Sequence, residues 1–199
     1  MSVPIYTIFA GVNGAGKSTF YRVLNRDFGV RVNSDEIIKE KFEHDWRNPA
    51  TQIEASKIAV KLIRDCINNG VSFNQETTLT GNFVIRSIEK AKAAGFRVNL
   101  FYVGLQDVEL SISRVAKRQR AGGHGIPEED LRRRYSVSFE NLKIVLPLCD
   151  EMQIYDNSGN GELDILTPMF TLKDGKYRQS AHCPKYLKDV LQDFICTYK

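Results

Sequence analysis

A short stretch near the N-terminus has the glycine spacing of a phosphate-binding loop. Residues Gly11–Ser18 read GVNGAGKS and fit the pattern G-x-x-x-x-G-K-[ST]. Glycines let such a loop wrap around phosphate oxygens, so that its backbone N–H groups point inward. The Lys17 ammonium would reach the β- and γ-phosphates, and the Ser18 hydroxyl would ligate Mg²⁺. The pattern therefore predicts a nucleoside triphosphate site, with ATP and Mg²⁺ as the cofactors.

Two carboxylates come at the ends of the next two predicted strands. Asp35 follows Val30–Asn33, and Glu76 with Thr77 follows Val71–Gln75. Open α/β sheets bind ligands at the carboxyl ends of their strands, so both acids are predicted to face the phosphate loop. Asp35 would accept or orient the proton of an incoming hydroxyl, and Glu76 would hold a substrate hydroxyl or a magnesium-bound water. Alternatively, Asp35 only complements a helix dipole and Glu76 only bonds within its own loop.

Several arginines surround a glycine-rich break. Arg114, Arg118 and Arg120 precede Gly122–Gly123, and Arg134 follows it. The window 114–134 holds seven basic and three acidic residues, whereas basic and acidic residues balance in the rest of the chain. Arginines on a hinged segment would stabilise the charge of a transferring phosphoryl group and exclude water. The alternative is a solvated basic helix face.

The elements that must position these groups alternate between strands and helices. Apolar runs predict strands, and apolar residues at a 3.6-residue period predict the helices between them. The predicted strands are Ile5–Ala10, Val30–Asn33, Val71–Gln75, Phe96–Val103 and Glu151–Tyr155. The predicted helices are Ser18–Asn25, Asp35–Phe42 with Ser34 as N-cap, one starting at Asn48–Pro49, Phe83–Ala94, one along Val108–Gln119, Pro127–Leu146 and one from Pro184. This alternation predicts an α/β fold, a parallel sheet with helices on both faces.

The length and composition fit one soluble domain over residues 1–199. We expect a lid at about 118–134 and a C-terminal appendage at about 160–199, in which Glu162–Leu172 pairs as strands and Asp174–Gly175 turns. No apolar run reaches the length of a membrane span, and no secretory signal is visible. The basic excess is local, which argues against nucleic-acid binding. The four cysteines lack metal-ligand spacing, so we expect reduced thiols and a cytoplasmic protein.

Taken together, these motifs resemble the zeta-toxin family, and most closely its small stand-alone branch of P-loop kinases. The likeness spans roughly Ile5 to Ser158. The motifs that carry it are Gly11–Ser18, Asn33–Asp35, Gln75–Thr78 and the R-x-R-x-G-G-H-x-I-P segment from Arg118 to Pro127, followed by Arg133–Tyr135. The last of these segments is fairly specific to the family, whereas the phosphate loop is shared by many families.

The resemblance implies a P-loop NTPase fold of the nucleotide-kinase type and ATP-dependent phosphorylation of a small molecule, in the larger toxins UDP-N-acetylglucosamine. It places the base on Asp35, a substrate-binding carboxylate on Glu76, and lid arginines among Arg114, Arg118 and Arg120. An antitoxin-like protein is a further partner that it implies. The larger toxins also carry an acidic contact for which Glu54 is the nearest candidate here, and a lid arginine near the position of His124.

The predicted site has three parts. The catalytic residues are Lys17, Asp35, Arg118 and Arg120. The nucleotide-binding residues are Gly11, Asn13, Gly14, Ala15, Gly16, Lys17, Ser18, Thr19 and Arg114, with Ser18 as the magnesium ligand. The acceptor would contact Asp35, Glu76 and Thr77. The rival interpretation is a non-catalytic ATP-binding module that regulates a protein partner; a transporter ATPase is disfavoured because its Leu-Ser-Gly-Gly-Gln signature is missing.

Overall fold

The computed structural model describes residues 2–46, 48–123, 125–159 and 167–198. Its strands are β1 (Ile5–Ala10), β2 (Val30–Val32), β3 (Phe73–Thr77), β4 (Arg97–Gly104), β5 (Glu151–Asp156), β6 (Phe170–Lys173) and β7 (Lys176–Gln179). Its helices are α1 (Lys17–Leu24), α2 (Ser34–Lys41), α3 (Pro49–Asn68), α4 (Asn82–Ala93), α5 (Val108–Arg120), α6 (Glu128–Val145) and α7 (Lys185–Thr197). Within these ranges, no helix combines the length and the apolar composition that a membrane crossing requires.

The strands form one sheet in the order β2-β3-β1-β4-β5-β6-β7. The strands β1 to β5 are parallel, as predicted, and β6 and β7 extend the sheet in antiparallel orientation. In the register of β1 and β3, Phe9 lies opposite Glu76 and Ala10 opposite Thr77. The carboxyl end of β3 therefore lies beside the loop that leaves β1.

Helices cover both faces of the sheet, as the strand–helix alternation predicts. Tyr6 and Ile8 of β1 belong to the larger apolar cluster, which also contains side chains of α2, α3, α4, α6 and α7. Phe9 points the opposite way, into a smaller cluster with Phe20 of α1 and the partly buried Leu110 of α5. This alternation of side chains along β1 is what a strand buried on both faces requires.

The start of α2 and the end of β3 differ from the predicted boundaries. Asn33, not Ser34, caps α2: the Asn33 Oδ1 accepts the backbone N–H of Asp35 at 2.9 Å. Asn33 has the extended backbone of an N-cap, whereas Ser34 already belongs to the helix. The strand β3 continues through Thr77 because its ladder with β1 extends to Ala10.

The C-terminal residues complete the same sheet and core. The strands β6 and β7 form a hairpin that turns at Asp174–Gly175, as predicted, and both turn residues have positive φ. The predicted strand Glu162–Leu172 begins later, at Phe170, and pairs with Lys176–Gln179; its residues 162–166 lie outside the described part of the chain. The apolar stripe of α7 is buried against the larger cluster.

Candidate active site

The loop between β1 and α1 has the backbone of a phosphate-binding loop. Gly11, Gly14 and Gly16 have φ values of 143°, 73° and 93°, which favour glycine. A Cβ on Gly11 would lie 2.1 Å from the carbonyl oxygen of Val103 on β4. The loop therefore passes so close to the neighbouring strand that only glycine fits there.

Side chains from distant parts of the chain fix the carbonyl groups of this loop. The Ser111 hydroxyl of α5 donates to the Asn13 carbonyl at 2.7 Å, and the Asn157 amide after β5 donates to the Ala15 carbonyl at 2.9 Å. Both donors are buried. These bonds fix the backbone of the loop at Asn13 and Ala15, and the Ala15 N–H donates within the loop to the Val12 carbonyl at 3.2 Å. No sequence motif identified Ser111 or Asn157, because each acts through a single hydrogen bond across the fold.

Lys17 is the first residue of α1 and is only 8% exposed. Its ammonium donates to the Val12 carbonyl at 3.0 Å, so the side chain folds back over the loop. Burial lowers the pKa of Lys17, and the charge of Arg118 acts in the same direction, while Glu76 and Asp35 oppose it. A buried cation beside a phosphate-binding loop favours an anion as its partner.

Ser18 and Glu76 are in direct contact. The Ser18 hydroxyl donates to Glu76 Oε1 at 2.6 Å. The other carboxylate oxygen, Oε2, accepts hydrogen bonds from Arg31 at 2.5 Å and from the Asn33 amide at 3.1 Å. The Glu76 carboxylate is thus held from two sides and directed at the predicted magnesium ligand.

These two groups fit a magnesium site that is completed by a nucleotide. In the described part of the chain, no cluster of three or more Asp, Glu, His or Cys side chains could hold a metal by itself. One hydroxyl and one carboxylate beside a phosphate loop nevertheless suit Mg²⁺, which in such sites is bound by few protein groups together with phosphates and water.

Asp35 lies in the first turn of α2, where the Asn33 cap fixes its backbone. Its carboxylate is exposed in the cleft in front of the phosphate loop. It is near enough to Lys17 for its negative charge to raise the lysine pKa. The structure therefore brings Lys17, Ser18, Asp35 and Glu76 together.

One cleft of about 720 Å³ contains this group. Six basic side chains and two carboxylates line it. The basic ones are Lys17, Arg22, Arg114, Arg118, Arg133 and Arg134, and the acids are Asp35 and Glu76. The predicted Asn13, Gly14, Gly16, Thr19 and Thr77 also line the cleft, whereas Gly11 and Ala15 are buried behind it. Such an excess of positive charge in a concave site attracts polyphosphates.

The predicted arginines are not all in the cleft. Arg114 donates to the carbonyl of Gly159 at 2.8 Å and lies 3.5 Å from that of Gly14, which places it beside the phosphate loop. Burial lowers the pKa of Arg114, and Asp156 opposes this shift. Arg118 reaches the cleft. Arg120, at the end of α5, is exposed and does not line the cleft.

The glycine pair after α5 has an evident structural task. Gly122, with φ of 87°, donates to the Gln119 carbonyl, and Gly123 donates to the Arg118 carbonyl, both at 3.0 Å. These two bonds form a Schellman motif that ends α5. Arg133 lines the cleft together with Arg134. Arg132, in contrast, pairs with Glu128 and Glu109 outside the cleft.

Part of the cleft is lined by residues that sequence reasoning missed. They come from α2, α3 and the segments after α2 and β3: Ile38, Trp46, Gln52, Ser56 and Thr80. The Trp46 indole N–H is buried and has no hydrogen-bond partner among the residues that the structure describes. Glu54 is exposed, pairs with Lys57 at 3.3 Å and does not line the cleft, and His124 lies outside the described residues.

The sheet order, the phosphate loop after β1 and the helices on both faces define a P-loop kinase fold. The profile of the Zeta toxin family matches residues 2–163, so the chain belongs to that family. An uncharacterised protein of Haemophilus influenzae is 36% identical over 129 residues, which cover 64% of this chain and 89% of that protein.

Two solved structures share the fold at low identity. One is a chain of the PezAT chromosomal toxin–antitoxin system of Streptococcus pneumoniae, with 19% identity, 79% of this chain and 69% of that chain covered, and a TM-score of 0.59. The other belongs to the AvrRxo1-ORF1:-ORF2 complex with ATP, with 12% identity and a TM-score of 0.68. The latter match covers 94% of this chain and 63% of that chain.

Proposed function

We propose that this protein is a kinase that transfers the γ-phosphate of ATP to a hydroxyl group of a small molecule. One observation carries the proposal: the buried Lys17 and the Ser18–Glu76 pair lie in the same cleft as an exposed carboxylate, Asp35. A module that only binds ATP needs the first two features and has no use for the third.

The phosphate loop would hold the nucleotide. Its N–H groups and the N-terminal dipole of α1 face the phosphates, and Lys17 exchanges its Val12 contact for the β- and γ-phosphates. Ser18 would hold Mg²⁺, with Glu76 contacting the ion directly or through water, and the bound ion would supply charge that neutralises the phosphates. Arg114, fixed by the Gly159 carbonyl, would contact the nucleotide from α5.

Asp35 would act on the acceptor. Its carboxylate is exposed in the cleft that the phosphate loop and Trp46 also line, so an acceptor hydroxyl could lie between Asp35 and the γ-phosphate. The carboxylate would accept the hydroxyl proton as the oxygen attacks phosphorus. Trp46 and Thr80 would form the wall against which the rest of the acceptor packs, beside the predicted contacts Glu76 and Thr77.

The arginines would stabilise the transferring group. Arg118 and Arg134 already line the cleft, and their charge would oppose that of the equatorial oxygens. Arg120 would join them only if the segment at about 118–134 closes as a lid, with the Schellman motif opening.

The family and its structural relatives guide the choice of acceptor and partner. A sugar nucleotide such as UDP-N-acetylglucosamine is the first acceptor to test, since the larger members of the family resemble this chain in their motifs. The PezAT relative comes from a toxin–antitoxin system. By analogy, we propose an antitoxin-like protein partner and a cytoplasmic location for this chain.

The test is ATP consumption with and without a panel of sugar nucleotides, sugars and nucleosides, with products identified by mass. An acceptor should stimulate ADP release and gain one phosphoryl group. Lys17→Ala should abolish both signals, whereas Lys57→Ala, which changes an exposed lysine on α3, should not. ATP binding without any stimulated turnover or product would overturn the proposal in favour of a regulatory module.

A further inference from the structure

Arg31 on β2 connects the three elements that carry the site. Its guanidinium bonds Glu36 of α2 at 2.9 Å and Glu76 of β3 at 2.5 Å, and its Nη1 donates to the Asn74 side chain at 3.1 Å. The guanidinium carbon also lies 3.8 Å from the centroid of the Tyr21 ring on α1. The Arg31 side chain is 16% exposed, so these contacts use nearly all of it.

The same contacts fix where the Glu76 carboxylate points. Oε2 is held by Arg31 and Asn33, which leaves Oε1 directed at the Ser18 hydroxyl. The carboxylate of Glu36 also accepts from the Asn33 amide, at 3.1 Å. Two carboxylates therefore share one neutral donor, and Arg31 is the cation between them.

The charge balance favours a fully ionised arginine here. Burial by itself lowers the pKa of Arg31, but hydrogen bonds and charges from Glu36 and Glu76 outweigh this effect and raise the pKa overall. Without the guanidinium, the two carboxylates would repel each other across the Asn33 amide. Without Arg31, Glu76 would keep the Ser18 hydroxyl and the Asn33 amide that it shares with Glu36, so two neutral donors would have to hold its carboxylate in place.

We propose that Arg31 is a positioning residue for the magnesium–nucleotide site, which holds the Glu76 carboxylate against Ser18. This proposal rests on the proposed function only for the identity of the nucleotide. It also selects between the two roles open to Glu76: a carboxylate clamped toward Ser18 serves the metal, and the acceptor is left to Asp35 and the Trp46 wall. Groups that orient metal-binding side chains typically contribute about 10–100-fold to metal affinity.

The test compares ATP affinity in excess Mg²⁺ with ATP affinity in EDTA, measured by calorimetry on the full chain without an acceptor. Wild-type protein should bind ATP more tightly with Mg²⁺ than in EDTA, and the ratio of these two affinities is called the magnesium gain. In Arg31→Met this magnesium gain should shrink by about 10-fold or more, while the affinity in EDTA stays within about twofold. A loosened fold would instead weaken binding in both conditions.

Three variants sharpen this comparison. Arg97→Met removes another strand arginine with an ion pair, to Glu151 at 2.8 Å, and should keep the full magnesium gain. Glu36→Gln leaves the Arg31–Glu76 pair in place and should also keep the full magnesium gain. Arg31→Lys keeps the charge but loses the planar fork, so part of the gain should return. If Arg31→Met fails to fold, as judged by thermal unfolding, Arg31→Lys and Glu36→Gln still test the role of Arg31. Arg31→Lys should then show a smaller magnesium gain than Glu36→Gln.

The two proposals fail in different ways. An unchanged magnesium gain in both Arg31 variants, equal losses with Mg²⁺ and EDTA, or no magnesium gain in the wild type would overturn the role of Arg31. None of these outcomes depends on phosphoryl transfer. Conversely, a wild type with a magnesium gain that phosphorylates no acceptor would overturn the kinase and leave the role of Arg31 intact.

Discussion

The hydroxyl of Tyr186 on α7 donates a 2.7 Å hydrogen bond to Oδ1 of Asp156 at the end of β5. The same oxygen accepts the backbone N–H of Ser158 at 3.1 Å, and Ser158 in turn accepts the N–H of Gln106 at 2.8 Å. Asn157, between these residues, bonds the phosphate loop. The C-terminal helix is therefore connected to the nucleotide site through one loop.

Replacing this hydroxyl should weaken nucleotide binding without touching the nucleotide. Tyr186→Phe removes a hydrogen bond to a carboxylate, which should cost about 1–3 kcal/mol of unfolding free energy. The loop at Asn157 should loosen, and ATP affinity should fall by severalfold. Thermal unfolding and ATP titration measure the two effects. Tyr198→Phe changes the exposed tyrosine at the end of the same helix and should change neither; equal behaviour of the two variants would contradict this coupling.

The sequence allowed the parts of the site with local chemistry to be predicted. The phosphate loop has a contiguous pattern, and Asp35 follows directly on an apolar strand, so both were identified without the fold. Arg31 and Trp46 could not be, because their roles arise from strands and helices that are far apart in the sequence. An arginine on a short strand has no distinguishing pattern until β3 lies beside it.

The glycine pair illustrates a different limit. Two adjacent glycines after a helix predict either a hinge or a helix cap, and the same backbone freedom serves both. The hydrogen bonds of Gly122 and Gly123 establish the cap in this conformation. The larger architecture was predictable because strand and helix periods alternate along most of the chain. The antiparallel pairing of β6 with β5 was not, since no local turn or motif joins these two strands.

Nucleotide affinity should depend on pH through Lys17. Burial holds the pKa of this lysine below its ordinary value, whereas bound phosphates favour the charged form and raise it again. ATP affinity should thus be constant below the pKa of the free protein's lysine and fall by about tenfold per pH unit above it. The decline should begin at a lower pH than an ordinary lysine would give.

Titrations between about pH 7.5 and 10, starting above the last ionisation of ATP, measure this dependence. Lys17→Arg is the control, because a guanidinium remains charged throughout this range. Its affinity should be nearly independent of pH. The same decline in both proteins would show that another group is responsible.

Asp35 should be needed for the transfer and not for nucleotide binding. Asp35→Asn removes the proton acceptor but keeps the size of the side chain and the Asn33 cap, which uses the backbone. We expect kcat to fall by about 10²–10⁴ and ATP affinity to change by no more than severalfold. Single-turnover kinetics with the acceptor measure the first effect. Glu54→Gln, an exposed acid outside the cleft, should leave both unchanged. Undiminished chemistry with lost ATP binding would make Asp35 a structural residue.

The lid can be tested through two arginines that differ in position. Arg118 already lines the cleft, so Arg118→Ala should lower kcat by about 100-fold with a smaller effect on ATP affinity. Arg120 lies outside the cleft, so Arg120→Ala should lower kcat only if the segment closes during turnover.

Closure would also rearrange the cap of α5, which is formed by hydrogen bonds from the backbone N–H groups of Gly122 and Gly123. Their hydrogen exchange should then change when ATP and acceptor are added together, and much less with ATP alone. Arg178→Ala, on the exposed strand β7, is the control for charge and should be neutral. Normal turnover in Arg120→Ala with ligand-independent exchange would mean that the glycine pair is only a helix cap and that Arg118 acts from a fixed helix.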